Sequence, residues 1–188
     1  MDQNKFNILF EMIESEMKDR DRVVLAIDGA AASGKTTLSA ILKEKYNAAV
    51  VHMDDFFLPA SRKTEDRLAE CDGNIDRERF IAEVLPNVRI KATFEYGKYD
   101  CAEGCVTHNV KVEDASLLVI EGVYSMSAYF RNSYDIKVML TVDDETQKAR
   151  LRKRCSPERF EAFMNVWLPL EKRYFGLGGV IEACDLII

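Results

Sequence analysis

The sequence predicts an α/β fold: a five-stranded, mainly parallel sheet flanked by helices, with a β-hairpin inserted into it. Three observations carry this. Short, β-branched, apolar runs recur along the chain as "RVVLAIDG", "NAAVVHM", "SLLVIEG", "DIKVMLTV" and "CDLII". Stretches with helical spacing separate them, which demands right-handed crossovers between parallel strands. Just before the third run, "ATFEYGKYD" and "CVTHNVKVED" alternate with period two, as antiparallel hairpin strands do.

The elements follow in order. Over 2–19, Phe6, Leu9, Phe10, Ile13 and Met17 recur at helical spacing with charges between them, an amphipathic helix packed on the domain. Residues 22–29 form the first buried strand, ended by Gly29. A loop of small residues leads into a helix over 35–46, and 47–53 form the second strand. A helix over 76–85 is closed by Pro86. The hairpin belongs to an insertion over about 88–115. The third and fourth strands cover 116–122 and 135–142, and a helix over 143–154 begins a lid region reaching to about 160. From 158 to 174, Phe160, Phe163, Trp167 and Leu170 share one helix side. Pro169 interrupts that stretch and should kink or split it, since an interior proline costs roughly 3 kcal/mol. Residues 184–188 make the fifth strand.

A chain of 188 residues suits one domain with a real core, spanning 1–188. The net charge of −6 argues against a nucleic-acid partner. No apolar run approaches the roughly 18 residues of a membrane helix, so no membrane association is expected. The N-terminus carries acidic residues and no signal-peptide core, which points to the cytoplasm. The five cysteines are odd in number and irregularly spaced, as reduced thiols are. Cys101, Cys105 and His108 alone make an incomplete metal set, short of a fourth ligand.

The chemistry begins at Gly29-Ala30-Ala31-Ala32-Ser33-Gly34-Lys35-Thr36, a complete G-x-x-x-x-G-K-[ST] between a strand and a helix. This is a P-loop and makes the fold a P-loop NTPase fold. The two glycines let backbone N–H groups wrap a polyphosphate, and the helix N-terminus adds partial positive charge. Lys35 reaches the β and γ phosphates of ATP, and the Thr36 hydroxyl joins a Mg²⁺ shell. Thr37, one step beyond, supports the site from behind or contacts the α phosphate. The second strand ends in "VHMDDFFLP", placing Asp54 and Asp55 where strands of an open α/β sheet deliver ligands. A carboxylate beside a γ phosphate is what transfer to an alcohol requires. The third strand ends in "VIEGVY", and Glu121 emerges beside the cradle.

"GAAASGKTT", "MDDFF", "NID", "YD" and "EGVY", followed by an arginine-rich helix, stand in the order seen in uridine kinases. From about Val23 to Tyr174 the chain resembles the uridine kinase-like family, to which phosphoribulokinase and pantothenate kinase are related. The resemblance implies ATP-dependent phosphorylation of a small-molecule hydroxyl, on a nucleoside of the uridine or cytidine type or a sugar-like metabolite. By it, Asp54 is the catalytic aspartate and a metal neighbour, and Asp55 is its variable companion on the substrate side. Asp76 and Tyr99 line the acceptor site, and Glu121 joins Thr36 around Mg²⁺. Arg150 and Arg154, four apart on one helix face, close over the ATP phosphates, with Arg159 and Arg173 as further candidates. Asp76 also suits a helix N-cap, and Tyr99 a hairpin packing position. One position departs from the family. Where its nucleoside kinases carry a pyrimidine-reading histidine after the tyrosine–aspartate pair, this chain has Gly104, with His108 further on. A homo-oligomer is compatible with all of this. The alternative is a P-loop binding module or NTPase without an acceptor; a regulatory GTPase would need N/T-K-x-D and D-x-x-G signatures that are missing.

Overall fold

The structure is a computed structural model that describes residues 3–188; position 2, the expected start of the first helix, lies outside them. In chain order the elements are α1 (Gln3–Asp19), β1 (Val23–Gly29), α2 (Lys35–Tyr46), β2 (Ala49–His52), a 3-10 turn (Met53–Phe56), α3 (Glu65–Ala69) and α4 (Arg77–Glu83). After the hairpin β3 (Phe94–Asp100) and β4 (Cys105–Val112) come β5 (Leu117–Glu121), β6 (Ile136–Leu140) and α5 (Asp144–Arg154). The chain ends with α6 (Pro157–Ala162), a π-helical segment (Phe163–Trp167), α7 (Leu168–Leu177), α8 (Val180–Ala183) and β7 (Leu186–Ile187).

The main sheet has the order β2-β5-β1-β6-β7, and every pairing in it is parallel. Its strands are apolar on successive positions because both faces are covered. Val23, Leu25 and Ile27 point to the side of α1 and α2, where they meet Phe6, Leu9, Ile13, Leu38 and Leu42. Val24 and Ala26 point to the other side, with Phe56, Phe80, Tyr96, Phe130 and Tyr174. The alternation follows from the period of a strand.

The predicted hairpin is a separate antiparallel pair with an irregularity between Lys98 and Tyr99. It is fastened to the domain by its first strand. Phe56 stacks within 5.1 Å of both Phe80 and Tyr96. The Gly97 amide donates to Glu83 at 2.9 Å, and the Arg79 guanidinium donates to the Gly97 carbonyl at 2.8 Å.

Where Pro169 is expected to kink or split the helix, the structure interrupts the α-helical winding just before it. The chain stays helical from 157 to 177 because Phe163–Trp167 winds as a π-helix immediately before α7. A widened turn removes the demand for the hydrogen bond that proline lacks the N–H to make, and relieves the clash of its ring with the preceding turn. The short helices α3 and α8 have no counterpart in the sequence reading; each is under two turns, too short for a periodic signal.

Candidate functional site

Strand register gathers the site. In β5, Glu121 lies opposite Ile27 of β1 and His52 of β2. The residues that follow those three positions therefore emerge together at the C-terminal edge, where β1 is flanked by β5 and β6. Gly29 leaves β1 with φ 142°, and a Cβ there would lie 2.3 Å from the Leu140 carbonyl oxygen. Gly122 leaves β5 with φ 142°, with Met53 where its Cβ would be. Only glycine permits both the backbone angle and the approach.

The loop from Ala30 to Gly34 closes on itself through the Ser33 amide, which donates to the Ala30 carbonyl at 3.1 Å. Ala32 has φ 62°, a left-handed conformation unusual for a residue with a side chain, and Gly34 caps α2 with φ 112°. Alternating backbone signs of this kind turn successive N–H groups inward, as an anion nest requires. Lys35 is buried, and its Nζ donates to the Gly29 and Ala30 carbonyls at 2.7 and 2.9 Å. The ammonium thus lies against the loop that would surround a phosphate chain.

Across the crevice, Thr36 Oγ1 donates to Glu121 Oε1 at 3.4 Å, and His52 Nδ1 lies 2.6 Å from the same oxygen. The Glu121 hydrogen bond is the main cause holding the His52 imidazole above its usual range, against burial. Asp54 sits on the 3-10 turn after β2. Its residue surface is open to solvent, yet its carboxyl lies in a recess dense with protein atoms. Burial pushes that carboxyl up, Lys35 pulls it down, and Glu121 and Asp55 push it up again.

The neighbouring aspartate faces elsewhere. Asp55 is buried, accepts from the Tyr96 hydroxyl at 2.8 Å, and lies 3.9 Å from Lys98 Nζ. It ties the turn to the hairpin. Asp76 caps α4, accepting from the Arg79 amide at 3.3 Å, and its other oxygen accepts from Arg62 at 2.6 Å. Tyr99 is buried at the hairpin irregularity. Cys101 lies in the hairpin turn, and burial followed by the Asp54 charge pushes its thiol up, with Arg159 and Lys63 opposing.

The two arginines of α5 part company. Arg150 reaches the loop, donating to the Ala32 carbonyl at 2.8 Å. Arg154 is exposed and lies over the Phe163 ring at 5.7 Å, a ring of the cluster that packs α6 and the π segment. Arg173 donates to the Leu68 carbonyl at 3.1 Å. Ala30, Ser33 and Thr37 lie along the loop and the first turn of α2. The cysteines are free, and no group of three His, Cys, Asp or Glu suited to a metal occurs among the described residues.

No motif points to four further groups. Gln147 donates to the Ala31 carbonyl at 2.9 Å, and Glu171 accepts from the Ala31 amide at 2.9 Å. Asp28, fully buried, accepts from the Gly29 and Met126 amides and the Tyr174 hydroxyl. His52 is the fourth. Asp28 and His52 stand inside quoted runs, where a polar residue between buried apolar ones is the available signal; Gln147 and Glu171 meet the loop only through the fold.

A parallel sheet with this cradle at its central strand, facing carboxylates on two neighbouring strand ends, belongs to the P-loop kinases. No family model matches the chain. Over 165 residues it is 30% identical to nicotinamide riboside kinase 2 of Mus musculus, covering 81% of this chain and 80% of that one. It is 25% identical to nicotinamide riboside kinase of Schizosaccharomyces pombe, over 77% of this chain and 71% of that one. The solved structure of a possible uridine kinase from Bacillus stearothermophilus superposes with TM-score 0.68 at 22% identity, covering 96% of this chain and 98% of that one, and shares the fold. The chain belongs to the uridine kinase-like family of P-loop kinases. It is an ATP-dependent small-molecule kinase. No described helix is long and apolar enough to cross a membrane.

Proposed function

We propose that the chain transfers the γ-phosphoryl group of ATP to a hydroxyl of a nucleoside, with Asp54 as the base. The observation that supports this is the position of Asp54 on the turn that leaves β2 where His52 pairs with Glu121, at the carboxyl edge of the sheet and near enough to Lys35 for its charge to act on the carboxyl. The acceptor class draws support from the names of the relatives, nicotinamide riboside kinase and uridine-cytidine kinase. The acceptor oxygen attacks the γ phosphorus in line, the bond to the bridging oxygen breaks, and the hydroxyl proton passes to the Asp54 carboxylate. Because burial raises the Asp54 carboxyl, kcat/KM falls as pH drops through that raised value, where the base is protonated.

The Thr36 hydroxyl and Glu121 carboxylate are hard oxygen donors brought together beside the cradle, a set that fits Mg²⁺, which takes one or two protein oxygens with phosphate and water. When bound, Mg²⁺ would neutralise charge on the transferring phosphate. His52 holds the Glu121 carboxylate in place. Glu121→Gln is expected to raise the Mg²⁺ needed for half-maximal rate with an unchanged circular dichroism spectrum. Unchanged Mg²⁺ dependence would leave Glu121 a strand-end carboxylate.

Asp76, Tyr99 and the hairpin form the acceptor side in this reading, Asp55 shapes it through Tyr96, and the 143–160 region is the lid. Arg150 stabilises transferring charge from α5. Arg150→Ala should lower kcat by on the order of 10³ with little change in acceptor KM, since the contact strengthens in the transition state. Arg154→Ala and Lys148→Ala should act weakly; equal losses in all three would mean a generic basic face. The reading itself is tested by ATP consumption against nicotinamide riboside, uridine, cytidine, pantothenate and sugar phosphates, followed by identification of the phosphorylated product. Turnover confined to non-nucleosides would redirect the substrate class, and none at all would favour a binding module.

A further inference from the structure

Glu171 lies in α7, two positions after Pro169, and its side chain is tucked beneath the phosphate loop at 6% exposure. Its Oε2 accepts from the Ala31 amide at 2.9 Å. The Ala31 carbonyl is held from the opposite side by Gln147 of α5. A carboxylate therefore already sits on a backbone N–H of the loop that is shaped to receive phosphate. Four further carboxyl, ammonium and phenol groups bear on it. From β1 comes Asp28, from the 3-10 turn Asp54, and from the start of α2 Lys35; Tyr124, beyond β5, faces it too.

These charges are unevenly matched. Lys35 is the cation that favours an ionised Glu171, and it is the same ammonium that a polyphosphate would engage. Two carboxyl groups oppose ionisation before any ligand enters. Phosphate adds more negative charge at the loop while drawing on the Lys35 counter-charge, so both changes act in the same direction on Glu171.

We propose that Glu171 is a proton-linked group of the nucleotide site, taking up one proton from solvent as polyphosphate enters the cradle. The inference rests on the cradle holding nucleotide. After uptake, one carboxyl oxygen still accepts from the Ala31 amide, and the new O–H becomes a donor where a bare carboxylate would repel. Burial already pushes the Glu171 carboxyl up to about 7, with Asp28 and Asp54 adding to the rise and the Ala31 amide and Lys35 opposing it. The sign follows. Below that value the proton is in place before binding; above it, binding must take the proton from solvent, so affinity weakens as pH rises.

The probe is ATP with Mg²⁺ and no acceptor. Between pH 6 and pH 8 the wild-type Kd should weaken about tenfold more than that of Glu171→Gln, which keeps an oxygen acceptor but has no proton to gain. Calorimetry at pH 7.5 in two buffers of different ionisation enthalpy should find roughly three-quarters of a proton more taken up by wild type than by the variant. Equal uptake and parallel pH curves overturn the inference. Should Glu171→Gln not fold, the carboxyl carbon of Glu171 followed by NMR in the wild type decides. Its titration midpoint rises on adding nucleotide if the inference holds, and an unmoved or lowered midpoint overturns it. Absence of ATP binding at every pH would remove the nucleotide reading as well, whereas binding without the proton removes this inference alone.

Discussion

Asp54→Asn is expected to leave ATP binding within a few-fold while reducing phosphoryl transfer by on the order of 10²–10⁴, the usual contribution of a general base. The substitution keeps the shape of the side chain and its capacity to accept a hydrogen bond. It removes the oxygen basic enough to take a proton. Asp55→Asn provides the contrast, and the structure sharpens it. The Asp55 carboxylate is buried against the Tyr96 hydroxyl and near Lys98, so its loss acts on hairpin attachment. Weakening a buried, charge-assisted bond of that kind costs about 1–3 kcal/mol of stability. The measurement pairs calorimetric titration of ATP with Mg²⁺ and single-turnover transfer, alongside thermal unfolding, for both variants. If Asp55→Asn is the inactive one and Asp54→Asn transfers normally, the two aspartates have exchanged roles. Full transfer by both would take the base away from this turn altogether.

Lys35→Ala should abolish measurable turnover and weaken nucleotide binding. The ammonium lies within 2.9 Å of two loop carbonyls and is the charge that opposes the raised carboxyls of both Asp54 and Glu171. Its removal leaves a phosphate chain facing acidic groups with no compensating cation at the centre of the loop. Radiolabelled transfer at saturating acceptor, together with nucleotide titration, reads both effects. A variant with wild-type rates would dismiss the phosphate-site assignment of this loop.

The sheet was largely legible because its signal is local. Each strand is a short apolar run, β1 and β5 ended by a glycine and a glutamate, and the cradle motif names its own neighbours: strand before, helix after. The cap at Asp76 was equally readable, and it accepts from an amide three positions on; Asp143, read as the first residue of its helix, caps it instead. What stayed hidden depends on distance along the chain. Glu171 and Ala31 are separated by 140 residues, and nothing in "LPLEKRYF" marks its glutamate as facing inward. The divergence of Arg150 and Arg154 was hidden for a related reason. Spacing places two residues on one helix face, but long side chains then choose different partners, here a loop carbonyl and an aromatic ring.

The π-helical segment at Phe163–Trp167 holds one residue more than an α-helix would need to cover the same rise. One residue corresponds to about 100° of rotation about the axis. Everything N-terminal to the segment is therefore indexed to a different azimuth than continuous α-winding from α7 would give. At that setting Phe163 meets the cluster with Ala31 and Leu151, while Glu171, on the far side of the segment, accepts from the same alanine. Pro169 thus acts as the detent of a rotary joint: by favouring the wider turn just ahead of it, it aligns two arms of one helix on a single point of the loop. Deleting one residue between 163 and 167 would turn α6, and Arg159 with it, by a quarter of a revolution or more, lifting that arm's packing off Ala31 while leaving the sheet its length.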